Sequence, residues 1–337
     1  MIPLAPSPLN LQPMNCLGCY KEITESYCPA CRKQLFDKAK VPPVLSFDAP
    51  RPTNLARYQE HSKRLSISGV QLKYSLRLDN NQLVLTEKSG QYILKPIPPA
   101  KQLLHVNDAP ENEHLTMQLA AQVFNIQTAA NALIQFKDQQ PAYITRRFDV
   151  KPGGGKYLQE DFAQLTNRTQ YTHGETFKYD GTYEEIGLLI KRFVAAAMPA
   201  LEDFFRLVAF NYALSNGDAH LKNFSLIRND AGEYRFSPAY DLMSTVLHTP
   251  QETDTALDLY AGDIHSQHFT KYGYYGRGNF MELAGRLGLI EKRAARIIDQ
   301  FPLKQQQVIE LVQRSGLSPK VKELYRASFM DKVKRLQ

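Results

Sequence analysis

All four cysteines of this 337-residue chain fall inside one short window, as Cys16-Leu17-Gly18-Cys19 and Cys28-Pro29-Ala30-Cys31, and none follows. Two CxxC knuckles facing each other across a short connection supply the four thiolates that a tetrahedral zinc prefers, and they do so without needing a large core. Two disulfides would require an oxidising compartment. The opening Met1-Ile2-Pro3-Leu4-Ala5-Pro6-Ser7-Pro8 has neither the basic nor the apolar region of a secretory signal, so the chain reads as cytoplasmic. A redox CxxC normally follows a strand in a βαβ unit, and none is legible here. The expectation is a structural Zn2+ held by Cys16, Cys19, Cys28 and Cys31, with its coordination closed and therefore no catalytic role.

Beyond the knuckle the texture changes three times. Val41-Pro42-Pro43-Val44 and Ala49-Pro50-Arg51-Pro52 are proline-rich and aperiodic, which predicts a linker over 41–64 after a knuckle segment over 1–40. Residues 65–150 read as a β-rich part. Strands are expected over Val70–Leu78, Gln82–Thr86, Gln91–Lys95, Ala132–Phe136 and Ala142–Phe148, with one amphipathic helix over Asn112–Phe124 built on Leu115, Leu119 and Val123. Residues 151–337 read as mostly helical, over Thr182–Ala197, Leu201–Leu214, Phe280–Leu287, Glu291–Asp299 and Gln305–Arg314. The fold class is α+β, a β-rich N-lobe followed by a helical C-lobe, an order that suggests a nucleotide site between them. No apolar run approaches the roughly 18 residues of a membrane-spanning helix, so no membrane partner is expected.

Five residues suggest chemistry by their order. Lys95 ends the strand Tyr92-Ile93-Leu94-Lys95, and Glu113 opens the following helix. Asp218 sits in a loop after a helix, Asn223 follows five residues later, and Asp241 comes after a hairpin. Singly each has a plainer reading: a helix cap, a strand end, a structural loop residue like His220. Together they match the needs of phosphoryl transfer. There a base accepts the acceptor's proton, an asparagine and an aspartate hold Mg2+, and a lysine meets dispersed phosphate charge. No GxxxxGK[ST] is present, so this is not a P-loop chain.

In sequence order, Ser66-Ile67-Ser68-Gly69-Val70-Gln71-Leu72-Lys73, Tyr92-Ile93-Leu94-Lys95-Pro96, Glu111-Asn112-Glu113, Arg147-Phe148-Asp149, Gln159-Glu160-Asp161-Phe162, Gly217-Asp218-Ala219-His220-Leu221-Lys222-Asn223-Phe224-Ser225 and Pro238-Ala239-Tyr240-Asp241-Leu242 resemble the motifs of HipA-type serine/threonine protein kinases, toxins of bacterial toxin–antitoxin systems. The resemblance covers about Leu65 to the C-terminus and implies a two-lobed, protein-kinase-like (HipA-like) fold. With only a short cysteine segment before the Ser-Ile-Ser loop, the chain is most similar to the HipT form of tripartite HipBST systems.

The resemblance implies Asp218 as catalytic base, with Lys95, Glu113 and His220 beside it, and Asn223 and Asp241 as Mg2+ ligands. It places ATP against Ser66, Ile67, Ser68, Gly69, Val70, Lys95, Arg146, Phe148 and Lys222, with Ser66 and Ser68 as autophosphorylation sites. It further implies an aminoacyl-tRNA synthetase substrate, tryptophanyl before glutamyl. The partners would be a separate small HipS-like antitoxin and a HipB-like protein through which DNA is met indirectly. Two departures stand out: Val150 follows Arg147-Phe148-Asp149 where the family usually has a second arginine, and Asp241-Leu242-Met243 replaces the general kinase DFG triplet.

A phosphate on Ser66 or Ser68 would add roughly −1.5 to −2 charge where the nucleotide's own phosphates lie, so autophosphorylation is expected to inhibit. Two other classes compete: a nucleic-acid- or protein-binding scaffold with a degenerate kinase body, and a small-molecule phosphotransferase. Residues 1–64 carry nine basic and five acidic side chains, residues 290–337 carry eleven and five, and the stretch between carries 21 and 24. The positive excess belongs to the ends, which makes the knuckle and the Lys320–Arg335 region candidate docking surfaces rather than the cleft.

Overall fold

The computed structural model describes residues 14–51, 53, 72–100 and 102–337; the Ser66-Ile67-Ser68-Gly69-Val70 loop lies outside the described residues. The chain begins with a small antiparallel hairpin of β1 (Met14–Asn15) and β2 (Glu22–Ile23), whose turn holds Cys16 and Cys19. A helix over Pro29–Phe36 follows, capped by Cys28, whose Sγ accepts the Cys31 backbone N–H at 3.5 Å. Proline suits its first position, since the ring presets φ and the missing N–H would have had no partner there.

Among the described residues, β3 (Tyr74–Asp79), β4 (Gln82–Leu85), β5 (Tyr92–Pro96), β6 (Asn131–Gln135) and β7 (Pro141–Arg146) form one antiparallel sheet in the order β4-β3-β5-β7-β6. Asp79 pairs with Gln82, leaving Asn80 and Asn81 as a two-residue turn at φ 47° and 64°. Asparagine tolerates that left-handed pair, which matches the twist of the hairpin. Alternation along β5 sends Tyr92 and Leu94 to one face and Lys95 to the other, beside its cross-strand partner Tyr143.

The Tyr92 and Leu94 face corrects the linker expectation for residues 41–51. Leu45, Phe47 and Ala49 are buried at every second position, and with Val41, Leu35 and Phe36 they pack on Tyr74, Leu76, Ile134 and Ile144. Val44 bridges Gln135 in parallel, and the Leu45 N–H donates to the Gln135 carbonyl at 2.7 Å. The prolines remove donors but not the apolar residues between them, and an extended segment can bury those on an open sheet face.

The Lys95 face is covered by a helix over Ala109–Gln118, continued by a π turn over Leu119–Val123. Leu115, Leu119 and Val123 bury as their spacing predicts, in a cluster that runs into the helical second half. At its centre is the Ala197–Ala213 helix, with Leu201, Phe204, Phe205, Val208 and Phe210 all buried. Helices over Tyr183–Phe193, Arg277–Leu287, Glu291–Leu303 and Gln305–Arg314 fall where periodicity puts them. A second sheet, β10-β9-β8, joins β8 (Leu158–Asp161), β9 (Ser225–Arg228) and β10 (Tyr234–Phe236). Strand β8 has no counterpart in the sequence expectation, because Leu-Gln-Glu-Asp shows no alternation.

The Pro319–Arg335 helix is less available than its charge implies. Tyr325, Phe329 and Val333 are buried, Lys332 is only 4% exposed and pairs with Asp254, and Arg335 Nη1 lies 2.7 Å from the same carboxylate. Two of its cations are therefore used within the fold. No helix among the described residues is long and apolar enough to cross a membrane.

Candidate functional site

Lys95, Glu113, Asp218, Asn223 and Asp241 all line one cleft of about 1010 Å³. Lys95 is 2% exposed, and its ammonium donates to Glu113 Oε1 and, at 2.5 Å, to Asp241 Oδ1. Burial works against the charge of Lys95, but Asp241 and Glu113 outweigh it and hold the ammonium protonated above its usual range. Burial pushes the Glu113 carboxyl up, with Lys95 opposing. Burial would also raise Asp241, yet Lys73 and Lys95 hold it well below the usual carboxylate range. Asp241 has φ 55°, a left-handed backbone that costs an aspartate on the order of 1 kcal/mol and that is often retained at functional positions.

Asp218 owes its place to the end of the Ala197–Ala213 helix. The chain reverses at Ser215, with φ 54°, and Asn216 donates to Asn211 Oδ1 at 2.9 Å while accepting the Asp218 N–H at 3.3 Å. A Cβ at Gly217 would lie 2.5 Å from the Thr253 carbonyl, so glycine is required for this close approach. Asp218 Oδ1 accepts the Tyr179 hydroxyl at 2.5 Å, and Lys178 Nζ and His220 Nε2 each lie 3.9 Å from the same oxygen.

His220, expected in the catalytic set, acts locally as a cap: its Nδ1 accepts the Lys222 N–H at 3.3 Å. Burial drives its pKa down to about 4, so it is neutral near pH 7. Asn223 Oδ1 accepts the His220 N–H at 3.2 Å, which leaves the oxygen a second lone pair for a cation. Lys222 donates to Asp161 Oδ2 at 2.6 Å, tying the loop to β8.

The expected nucleotide stretch, Arg146 to Phe148, lines the cleft, and so does Lys222. Phe148 packs on Tyr240 with ring centroids 5.6 Å apart. The Arg146 guanidinium at the cleft's edge also grips Asp37 at 2.7 and 2.6 Å and the Gln34 carbonyl at 3.0 Å, so a nucleotide contact from it would compete with three hydrogen bonds. Nothing in the sequence marks that partner, 109 residues away.

Four cleft residues escape sequence reasoning. Lys73 donates to Asp241 Oδ2 at 2.7 Å. Lys178 and Tyr179 face Asp218 from a short turn that carries no motif. Glu252, whose carboxyl burial pushes up to about 7, accepts the Thr245 hydroxyl beside Gly217. Only Lys73 has a signal, as the last residue of the Ser-Ile-Ser block.

The four cysteines are free thiols whose Sγ atoms lie within 4.8 Å of one another. Cys19 and Cys28 sulfurs are 3.8 Å apart, close to the edge of about 3.8 Å that a tetrahedron with ~2.3 Å metal–sulfur bonds requires. Gly18 and Cys28 N–H groups donate to Cys16 Sγ at 3.4 and 3.2 Å. Hydrogen bonds from Cys19 and Cys31 hold the Cys16 thiol far below its usual range, and its bond to Cys16 pushes Cys19 up to about 11. One thiolate thus suppresses ionisation of its neighbour, a conflict that a dication would remove. The donor set fits zinc.

Fold and cleft together define a mixed α/β chain of protein-kinase-like build. Residues 65–309 match the family described as HipA-like C-terminal domain, and the chain belongs to that family. It is 28% identical over 279 residues to a Haemophilus influenzae protein named "Putative kinase", a match covering 79% of this chain and 76% of that one. It is 32% identical over 212 residues to "Putative kinase Y4dM" of Sinorhizobium fredii, covering 58% and 48%. It is homologous to the serine/threonine-protein kinase toxin HipA of Shewanella oneidensis, 25% identical over 210 residues, covering 58% and 46%. The matches thus span less than half the length of the latter two relatives.

The solved structure of the Shewanella oneidensis HipA, HipB and operator DNA complex contains a chain superposing with TM-score 0.60 at 19% identity, covering 89% of this chain and 74% of that one. The Helicobacter pylori proinflammatory kinase CtkA superposes with TM-score 0.50 at 14% identity, covering 79% and 90%. At such identities the likeness is one of fold.

Proposed function

We propose that this chain is a Mg-ATP-dependent serine/threonine protein kinase acting as the toxin of a HipT-type tripartite toxin–antitoxin system. The observation that carries the reading is Lys95 joined to both Glu113 and Asp241 in the cleft that also holds Asp218 and Asn223. Asn223 and Asp241 would hold magnesium, which when bound neutralises phosphate charge. Lys95 and Lys73 would then face the phosphates, releasing Asp241. Asp218 takes the acceptor hydroxyl's proton as its oxygen bonds the γ-phosphorus, the bond to the β-phosphate breaks, and ADP leaves.

On this reading 1–40 is the zinc segment, 65–150 and 151–337 are the two lobes, and Ser66 and Ser68 are self-inhibitory phosphorylation sites. The substrate is an aminoacyl-tRNA synthetase, tryptophanyl first and glutamyl next, and modification blocks translation in the cytoplasm. A small HipS-like antitoxin and a HipB-like protein complete the system. The test is incubation of purified chain, magnesium and γ-labelled ATP with each synthetase, followed by mass spectrometry. Phosphoserine on the tryptophanyl enzyme is expected; label on neither synthetase would contradict the substrate assignment.

A further inference from the structure

The cysteine centre lies apart from the chemistry, since none of its four thiols lines the cleft. Its position relative to Glu113 is nevertheless specific. Tyr20 directly follows Cys19, stands at φ 59°, and donates its N–H to the Cys16 carbonyl at 2.9 Å, so the knuckle fixes where this tyrosine starts. Its hydroxyl donates to Glu111 Oε1 at 2.7 Å, and its ring lies 4.9 Å from that of His114. The Cys19 carbonyl accepts from Gln122 at 3.1 Å, and Gln122 donates to Gln118 at 2.7 Å. Glu111, His114, Gln118 and Gln122 are spaced i, i+3, i+7 and i+11, which is one helix face across three turns. Glu113 lies about 200° around from Glu111 and meets Lys95 on the other side.

The same segment also stands on the sheet that carries Lys95. The Leu17 carbonyl accepts the Leu133 N–H at 2.9 Å, and the Tyr27 hydroxyl donates to the Leu133 carbonyl at 2.8 Å. The knuckle therefore spans the two elements whose relative placement makes the Lys95–Glu113 pair. Tyr20 and Tyr27 are buried against the helical and sheet cores respectively, and bound metal would fix the Cys16–Cys19 turn from which Tyr20 starts.

We propose that the metal-bound knuckle is a brace for the nucleotide site, with Tyr20 as the positioning residue that transmits it to the Ala109–Gln118 helix. Zinc bound outside the cleft then governs nucleotide affinity inside it. The inference rests on the kinase and zinc readings above, and the experiment separates its failure from theirs.

Bound zinc is counted with a chromophoric chelator, and affinity for Mg-ADP is measured by calorimetry on three samples of the full chain: wild type, wild type stripped of zinc, and zinc-loaded Tyr20→Phe. Tyr20→Phe should keep its zinc and its circular dichroism while Mg-ADP affinity falls roughly three- to tenfold, the scale of one hydrogen bond to a charged group partly transmitted. In turnover it should raise KM for ATP and leave the acceptor's KM unchanged, a split that simple loss of folded protein would not produce. Stripped chain should lose at least as much affinity and recover it when zinc returns. Wild-type affinity in Tyr20→Phe overturns the brace, including where the stripped chain simply unfolds. A chain that purifies without zinc overturns the metal reading, and absence of Mg-ADP binding in every sample overturns the kinase reading.

Discussion

Lys95 and Asp241, 146 positions apart in sequence, meet at 2.5 Å in the cleft, on the same ammonium that Glu113 holds from the Ala109–Gln118 helix. One cation thus serves two carboxylates, and removing it should act twice. Lys95→Met takes away the ammonium that buried Glu113 and Asp241 share, while Lys73 still pairs with Asp241, at a cost of up to about 3–5 kcal/mol in stability. It should also lower kcat/KM by a factor of about 100 or more, because the phosphates lose a positioned charge. Thermal unfolding and turnover check the two effects separately. Lys95→Met with wild-type stability would mean the pair is not the buried unit described.

Gly217 bears on geometry alone. Because a Cβ there would lie 2.5 Å from the Thr253 carbonyl, Gly217→Ala must shift the loop that carries Asp218. Overpacking of this kind costs about 1–3 kcal/mol. A displacement near 1 Å of a reacting group should lower kcat by about 100-fold, well beyond the stability effect. Steady-state kinetics at a temperature where the variant is fully folded checks this.

Glu252 gives the cleft a pH dependence. Its folded pKa, about 7, lies above the ordinary 4.5, so its contribution to stability is fully present below pH 4.5 and is lost as pH rises through 7. The loss is at most about 3–4 kcal/mol, since a tenfold change in proton affinity is worth ~1.4 kcal/mol. Glu252→Gln should therefore unfold at a higher temperature than wild type at pH 8.5 and at a similar temperature at pH 4.5. An equal difference at both pH values would show that charge is not the cause.

What the sequence discloses is what is local or ordered along the chain. The cysteine spacing, the Asn80-Asn81 turn and the Leu115, Leu119, Val123 period each depend on near neighbours. The order of Lys95, Glu113, Asp218, Asn223 and Asp241 is readable because each sits at a recognisable element boundary. Tyr179 and Glu252 are not, because they reach Asp218 and Gly217 only through tertiary packing. Residues 41–51 look like a linker because prolines hide an alternation, Leu45, Phe47, Ala49, whose meaning depends on a sheet face formed later in the chain. Arg146 lines the cleft, but its hold on Asp37 is not legible, because that partner belongs to a distant segment that carries no sign of the pairing.

Phosphoryl transfer in this cleft with Asp218 as base can be tested on the purified chain. The direct measurement is incorporation of label from γ-labelled ATP and magnesium by the purified chain, beside Asp218→Asn with equal circular dichroism. Label on protein serine is expected with wild type, with at least about a 100-fold loss in the variant. Label that is absent from both, or equal in both, would contradict it.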